Sequence, residues 1–413
     1  MELNVSLLNK LKGIYGDTFY LLHSDQFKKN YIDLKNSFSE IYPKFDIAYS
    51  YKTNYTPKLC EIVNCLGGYA EVVSDMEMEL ALRIGVNPKK IIWNGPYKRY
   101  DKVKELLFLG GTVNLDSAYE IEMIRMIAEE NPEVELNIGI RCNFDISDGV
   151  VSRFGFDINS DDFKHALSLV NKKNNIHLVG MHCHFASRSL ETWRPRAEGM
   201  LKLLDELKLI PEHIDLGGGL SGKMAESLKE QFNTPIPTYE EYAGEVAPLF
   251  EAHYRHLPEE QRPTLLIEPG SALVGDCMSF ASTVINIKEV RGKAIATLLG
   301  SIYNINPTLN TKNPPLTLYS MGSKRKSYQG LDFGGFTCIE SDYLYRNYSG
   351  TLAIGDVVVF GNVGSYSIVL KPPFILPNFP VLDISGDTVE VIKRGETFDD
   401  LFHTFTSVEE ICG

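Results

Sequence analysis

The stretch TLLIEPG at residues 264–270 is a short apolar run that ends in an acid, a proline and a glycine. Seven earlier runs have the same form, with apolar or β-branched residues followed by a polar or glycine-rich end. They read FDIAYSYK (45–52), GYAEVVS (68–74), KIIWNGP (90–96), GTVNLDS (111–117), ELNIGIRC (135–142), HLVGMHCH (177–184) and HIDLGGG (213–219). Such runs are typical of strands buried on both faces.

The segments between these runs are long enough for helices. The clearest is SAYEIEMIRMIAEEN, whose apolar residues recur on one helix face. Ser117 and Glu120 can form a capping box at its start, and Ser74 and Glu77 can do the same after the second run. Eight alternating β–α units predict a (β/α)8 barrel of the TIM type, which we expect to cover residues 24–273.

The pattern changes after residue 273. The segments MSFASTVINIKEV, KAIATLLGSIY, FTCIESDYLY, DVVVFGNVGSYSIVL and DTVEVIKRG have the composition of strands, separated by loops rich in Gly, Pro and Asn. They predict a second, all-β domain, a sandwich or barrel built from residues 1–23 and 274–413.

Composition restricts the class of protein further. The chain has 413 residues, 44% of them apolar, and a net charge of −13, which argues against a broad nucleic-acid or anionic-membrane surface. Its seven cysteines form no CxxC pair, so reduced thiols and a cytoplasmic location are expected. No signal-peptide pattern is present at the N-terminus, and no apolar run approaches the ~20 residues of a membrane span.

In a barrel of this type, the active site lies at the carboxyl ends of the strands. The residues at those ends are Lys52, Ser74, Asp116, Arg141, His184, Gly217, Gly218, Gly219, Glu268, Pro269 and Gly270. Glycines after the seventh and eighth strands can bring backbone N–H groups close to a phosphate. A tight turn would explain one glycine, but three in a row at this position favour a phosphate site.

Lys52 and Glu268 would end the first and eighth strands. A lysine there is costly unless it is paired or used covalently, and a buried carboxylate needs a cationic partner such as a pyridinium nitrogen. With the phosphate site, they describe the anchor points of pyridoxal 5′-phosphate, and His184 is a candidate to stack on its ring. Two alternatives explain these residues without a cofactor. Lys52 can extend its amine into water, and His184 can be a core histidine whose ring nitrogens are hydrogen-bonded.

His182 and His184 also permit a different chemistry. Two residues apart on one strand, they face the same side and resemble metal ligands. A metal-dependent hydrolase on the same barrel, with Asp116 or Asp215 as a further ligand, is therefore the competing hypothesis. It leaves Lys52 and the three glycines without a role.

These motifs resemble those of the fold-type III pyridoxal-phosphate decarboxylases, the group of ornithine, diaminopimelate and arginine decarboxylases. The resemblance extends over nearly the whole chain in the family's order. The matching segments are AYSYKTNYTP, VVSDMEMEL, NLDSAYEIEMI, VVSRFGF, GMHCHFAS, IDLGGGLSG, IEPGSALVG, CIESD and GDVVVFGNVGSYSIVL. It implies an alanine racemase-like fold, a barrel joined to a C-terminal β-domain.

The resemblance also implies roles for individual residues. Lys52 would bind the cofactor covalently, His184 would stack on its ring, and Glu268 would contact its pyridine nitrogen. The other implied contacts are to the cofactor by Arg153, to its phosphate by Ser187, Gly217, Gly218, Gly219, Gly270 and Tyr366, and to the substrate by Asp342 and Ile339. Cys338 would be the general acid that returns a proton to the α-carbon, contributed by the partner subunit of a homodimer. Its alternative is a small buried hydrophobe.

Two positions depart from the family pattern. The arginine usual in the family's EPGR segment is Ser271 here, and the residue after Cys338 is Ile339, where an acid holds the far amino group of ornithine or diaminopimelate. An acid follows one position later at Glu340, which strand alternation would turn to the other face. We therefore expect a modified or acylated amino acid, free or carrier-bound, from a specialised biosynthetic pathway. The alternative is an ornithine, lysine or diaminopimelate decarboxylase.

A racemase and a non-catalytic binding protein are two further alternatives. Alanine racemases place an arginine against the pyridine nitrogen, so Glu268 favours decarboxylation. The joint presence of Lys52, Glu268 and Cys338 argues against a protein without cofactor.

Overall fold

The computed structural model describes residues 1–406, and for residue 171 the backbone alone. Its strands are β1 (Thr18–Leu22), β2 (Phe45–Ser50), β3 (Tyr69–Val72), β4 (Ile91–Trp93), β5 (Thr112–Leu115), β6 (Leu136–Asn143), β7 (Phe156–Asp157), β8 (Ile176–His182), β9 (His213–Asp215), β10 (Thr264–Ile267), β11 (Met278–Val290), β12 (Lys293–Leu298), β13 (Leu316–Tyr319), β14 (Lys326–Gly334), β15 (Tyr343–Leu352), β16 (Val357–Phe360), β17 (Val381–Asp383) and β18 (Glu390–Lys393). Its helices are α1 (Val5–Tyr15), α2 (Ser24–Ser39), α3 (Pro57–Cys65), α4 (Asp75–Arg83), α5 (Tyr100–Phe108), α6 (Ala118–Glu130), α7 (Asp161–Lys172), α8 (Trp193–Leu207), α9 (Glu226–Lys229), α10 (Tyr239–Tyr254), α11 (Ser271–Val274), α12 (Ile302–Ile305), α13 (Ser367–Leu370) and α14 (Phe398–Phe402).

The larger of two compact units is a closed barrel, formed by Lys28–Gly222 and Ile236–Leu273. Its strands follow the order β5-β4-β3-β2-β10-β9-β8-β6, and the pairing of β5 with β6 closes the ring. Neighbouring strands are parallel throughout. The eight apolar runs of the sequence form these eight strands, which confirms the predicted barrel.

Helix α6 shows why the segments between the strands are helical. The predicted capping box of Ser117 and Glu120 begins the helix. Ile121, Ile124 and Ile127 then form a buried stripe, so the helix covers the barrel with one apolar face. Burial on the outside by helices and on the inside by other strands explains why the barrel strands are apolar on both faces.

The second unit contains Met1–Phe27, Lys223–Pro235 and the described residues 274–406. Its sheet has the order β15-β14-β12-β11-β1-β17-β18, and β16 joins it by pairing with β11 and β13. The strand β1 pairs antiparallel with β11 and parallel with β17. Leu8 and Leu11 of α1 pack with Phe19 and Leu21 of β1 in its core, so this unit also contains helix.

The strand predictions for three stretches are wrong in part. Ile302–Ile305 is a short helix, because Ser301 and Asn304 form a capping box. Ser367–Leu370 is helical after Tyr366, whose φ of 61° ends the extended conformation. Residues 335–342 form bends and a turn before β15, so Cys338 and Glu340 are not on a strand. Within residues 1–406, no helix has the length and apolar character needed to cross a membrane.

Gly180 on β8 allows the His213 ring of the neighbouring strand to pack inside the barrel. A Cβ atom at residue 180 would lie 2.2 Å from His213 Nε2. We expect Gly180→Ala to lower the free energy of unfolding by about 1–3 kcal/mol, because the core is overpacked. Urea denaturation measures the change. The matched control is Gly244→Ala on α10, where a Cβ meets no atom within 4 Å and a gain of about 0.5–1 kcal/mol is expected. Equal effects of the two substitutions would contradict this packing argument.

Candidate active site

Lys52 follows β2 in the 3₁₀ turn Tyr51–Thr53, at the carboxyl end of the strand. Its side chain is 32% exposed, and Nζ donates a hydrogen bond of 2.6 Å to Glu71 Oε2. Glu71 lies on β3 and is fully buried. The lysine amine therefore lies at the open end of the barrel and is held there by a carboxylate from the next strand.

Glu71 belongs to a polar network that the sequence analysis missed. Its carboxylate also accepts hydrogen bonds from Ser50 Oγ at 2.6 Å and from Asn94 Nδ2 at 3.1 Å. Asn94 donates in addition to Glu268 Oε1 at 2.5 Å, and Asn114 Nδ2 donates to Asn94 Oδ1 at 2.8 Å. The available signal was a polar residue inside an apolar run, as in YAEVV and IIWNG.

Glu268 is the centre of this network and is almost completely buried. His182 Nε2 lies 3.3 Å from Glu268 Oε1, and His184 Nδ1 lies 3.3 Å from Oε2. Burial alone would raise the pKa of Glu268, but His182, His184 and Lys52 together outweigh burial and hold that pKa well below its usual range. The carboxylate is therefore an anion inside the barrel. His182 is the last residue of β8 and His184 lies two residues beyond the strand, and both rings approach Glu268.

Asp215 on β9 is the second buried carboxyl group at this end. Burial raises the pKa of Asp215 well above its usual range, and the charge of Glu268 adds to this effect. Gly217 N donates to Asp215 Oδ1 at 2.8 Å. Glu268 is consequently the charged member and Asp215 the neutral member of a buried pair. Burial also lowers the pKa of His184 to about 4, so this imidazole is neutral at pH 7.

The glycine loop after β9 has a backbone that requires glycine. Gly217 and Gly219 have φ values of 71° and 94°, and a Cβ on Gly218 would lie 2.6 Å from Glu268 O. A Cβ on Gly270 would lie 2.0 Å from Thr53 Oγ1. Within the described part of the chain, the N–H groups of Gly219 and Gly270 have no hydrogen-bond acceptor. They are donors suited to an anion such as a phosphate.

Two other predicted cofactor contacts lie apart from this network. Ser187, in the loop after β8, accepts a hydrogen bond from Ser189 N at its Oγ, and its carbonyl oxygen packs against Gly219. Arg153 is exposed, with its guanidinium 4.0 Å from the centre of the Phe154 ring. The structure thus brings Ser187 to the glycine loop, and a cofactor contact by Arg153 stays a prediction.

The remaining predicted site residues belong to the second unit. Cys338 is exposed, and Ile339 and Tyr366 are half-buried. Asp342 is buried and accepts hydrogen bonds within its own unit. The roles predicted for these four residues stay predictions.

His182, His184 and Glu268 also have the chemistry of metal ligands, and their ligand atoms lie within 4.8 Å of one another. Asp116, which the hydrolase hypothesis would add, is 3.6 Å from the guanidinium of Arg141 and accepts from Gly155 N. Geometry around Glu268 alone therefore fits either a metal or a pyridinium nitrogen.

Comparison with known proteins decides between these chemistries. A family model described as "Pyridoxal-dependent decarboxylase, pyridoxal binding domain" matches residues 25–275. The chain belongs to this family. It is a pyridoxal-phosphate-dependent amino-acid decarboxylase, as the sequence predicted, and the hydrolase hypothesis is wrong.

Several of the similar proteins are diaminopimelate decarboxylases. The enzyme of Methanocaldococcus jannaschii is 26% identical over 94% of this chain and 90% of its own length. The probable chloroplastic enzyme of Oryza sativa is 26% identical over 94% of this chain and 80% of its own. The solved structure of the M. jannaschii enzyme with L-lysine has a TM-score of 0.83 at 24% identity and covers 97% of this chain and 94% of that one. This likeness shows the fold.

The residues at the barrel mouth fit the cofactor. A lysine amine, a buried anion and unpaired backbone N–H groups correspond to the aldehyde, the pyridine nitrogen and the phosphate of pyridoxal phosphate. Because Lys52 is the amine that the barrel holds beside the buried network, we expect borohydride reduction of the holoenzyme to fix the cofactor to Lys52. Peptide mapping by mass spectrometry identifies the labelled residue. A label on any other lysine would overturn the assignment.

The two buried carboxyl groups should respond differently to neutralisation. In Glu268→Gln the anion is lost, so we expect cofactor to remain bound while turnover falls several hundredfold, which corresponds to about 3–5 kcal/mol for a broken buried pair. Asp215→Asn is the matched control, because that carboxyl is already neutral, and a loss of less than about tenfold is expected. Steady-state decarboxylation assays compare the two. Equal losses would contradict the assignment of the charge to Glu268.

Proposed function

We propose that this enzyme decarboxylates a free diamino acid of the diaminopimelate type. The similarity to diaminopimelate decarboxylases along 94% of the chain supports this substrate class. The modified or acylated amino acid expected from the sequence has no counterpart among these relatives. The observation that carries the proposal lies in the turn that follows Cys338.

The turn from Cys338 to Asp342 is anchored by its last residue. Asp342 accepts hydrogen bonds from Ser301 Oγ at 3.0 Å and from Ile302 N at 2.7 Å. Thr337 adds its N–H at 3.2 Å and its hydroxyl at 2.6 Å. These four bonds occupy the buried carboxylate, so we infer that Asp342 positions the turn, and a direct substrate contact by Asp342 stays a prediction.

Glu340 is exposed in this turn, two residues after the exposed Cys338. Strand alternation does not turn Glu340 away, since residues 338–342 do not form a strand. An acid one position later than usual can therefore still bind a distal ammonium group. We propose that Glu340 takes this role, which removes the main objection to a free diamino acid.

The reaction then follows from the chemistry at the barrel mouth. Pyridoxal phosphate, when bound, supplies the electron sink that stabilises the α-carbon after carbon dioxide leaves. We propose that Glu268 holds a proton at the pyridine nitrogen through its carboxylate and that His184, neutral at pH 7, stacks on the ring. Lys52 Nζ would bind the cofactor and exchange it with the substrate amine. Cys338 Sγ would return a proton to the α-carbon.

A modified amino acid remains the second candidate. Ile339 is half-buried where the family has an acid, and an apolar side chain suits a neutral or acylated far end. A substrate of this kind would make no use of Glu340. The two candidates therefore differ in one measurable contact.

A panel of substrates tests the proposal. We expect meso-diaminopimelate to have a higher kcat/KM than Nε-acetyl-lysine, measured by release of carbon dioxide. Glu340→Gln should raise the KM for diaminopimelate about tenfold with little change in kcat, because a charged hydrogen bond to the bound substrate is lost. Glu289→Gln, another exposed glutamate of the second unit, is the control. Preferred turnover of Nε-acetyl-lysine, with Glu340→Gln unchanged, would establish the second candidate instead.

A homodimer with shared active sites and a location in the cytoplasm complete the proposal. The exposure of Cys338 is compatible with a thiol that serves the site of a partner subunit. The homodimer rests on the family resemblance. The cytoplasmic location rests on the scattered cysteines, which show no disulfide-type pattern in the sequence.

A further inference from the structure

An arginine from a different segment reaches the position where the family's EPGR arginine is missing. Arg188 lies in the loop after β8, and its Nη2 donates a hydrogen bond of 3.3 Å to Ser271 Oγ. Ser271 directly follows Gly270, so the guanidinium lies beside the loop after β10. We propose that Arg188 binds the phosphate of the cofactor in place of the arginine absent from position 271.

The backbone of Arg188 is fixed to the barrel by Tyr242. The hydroxyl group of this fully buried residue of α10 donates to Arg188 O at 2.7 Å. The same hydroxyl accepts a hydrogen bond from Ser221 N at 3.1 Å. Ser221 comes two residues after Gly219, so one tyrosine connects the Arg188 loop to the glycine loop.

A second connection is made by the guanidinium of Arg196, which is fully buried on α8. It donates to four carbonyl oxygens, those of Phe185, Ser187, Leu216 and Gly218, at 3.4, 3.5, 3.1 and 2.7 Å. Two of these carbonyls belong to the Arg188 loop and two to the glycine loop. Because Arg196 binds carbonyl oxygens of both loops, it positions the two loops. Their N–H groups are then available to bind an anion.

The charge at this position also favours a phosphate. Within residues 1–406, the hydrogen-bond partners of the Arg188 and Arg196 guanidinium groups are a hydroxyl and carbonyl oxygens, and neither guanidinium has an ion pair with an acidic side chain. A phosphate monoester carries nearly two negative charges at neutral pH, and backbone N–H groups alone supply only partial charge. Arginine forms short, charge-assisted hydrogen bonds with phosphate oxygens. The Arg188 guanidinium adds a full positive charge beside Ser271, the residue that follows Gly270.

The phosphate is a better match for Arg188 than the substrate carboxylate. Ser187, the preceding residue, packs against Gly219, and Ser271 follows Gly270. Both N–H groups without an acceptor thus lie in segments that Arg188 contacts or adjoins. This inference concerns binding of the cofactor and not of the substrate. A failed test of Arg188 therefore leaves the proposed diamino-acid substrate unaffected, and the reverse also holds.

Cofactor affinity tests the proposal without relying on turnover. Full-length holoenzyme is dialysed to equilibrium against graded concentrations of pyridoxal phosphate, or of pyridoxal, and bound cofactor is measured by absorbance. We expect Arg188→Gln to weaken the binding of pyridoxal phosphate about tenfold and to leave the binding of pyridoxal unchanged. Arg194→Gln is the matched control, an exposed arginine of α8 that pairs with Glu198, and should change neither affinity.

A second variant tests whether an arginine at position 271 can replace Arg188. Adding Ser271→Arg to Arg188→Gln returns a cation to the loop after β10 and should restore most of the lost affinity for pyridoxal phosphate. A melting temperature measured for each variant separates binding from folding. Unchanged affinity in Arg188→Gln would overturn the proposal. So would an equal loss for both ligands, or an effect confined to the KM for substrate, because each of these places Arg188 away from the phosphate.

Discussion

The negative charge of Glu268 inside a closed barrel is the constraint on which the active site depends. A carboxylate without water is costly, and its surroundings must supply donors and positive charge. Residues from strands that do not pair with β10 surround this carboxylate: Asn94, after β4, donates a hydrogen bond to Glu268, and His182 of β8 lies 3.3 Å from its carboxylate. Asp215 stays neutral beside Glu268, because burial raises the pKa of Asp215 and the nearby charge of Glu268 raises it further. The same asymmetry suits the role that we propose for Glu268, which is to hold a proton at the pyridine nitrogen.

The barrel strands could be predicted from the sequence because burial on both faces produces a local signal, an apolar run with a polar end. Lys52 and Glu268 could also be identified, since each follows such a run directly. The polar network could not be predicted, because Glu71 and Asn94 meet only through the register of parallel strands. A polar residue within an apolar run shows that something is unusual, but the sequence does not name its partner.

The second unit was harder to interpret because its elements are short. Residues 338–342 have a strand-like composition, yet the buried carboxylate of Asp342 binds four donors and folds them into a turn. The expectation of a modified substrate rested on strand alternation turning Glu340 away. In the turn that forms instead, the Glu340 side chain is exposed. A comparable limit applies to Arg188. Motif comparison detects the arginine missing at Ser271 but cannot detect a cation delivered to the same place by another loop.

The position of β1 in its sheet has a consequence for synthesis of the chain. Thr18–Leu22 is completely buried between β11 and β17, and its partner residues begin at Met278 and at Val381. During synthesis this apolar strand therefore emerges with two unpaired edges. All the barrel segments are synthesised before β11 or β17 is available to pair with it. Such an edge can pair with other chains. The nascent protein has to keep this strand from aggregating until the last part of the polypeptide has emerged, so a chain truncated after the barrel retains an unpaired strand at its N-terminus.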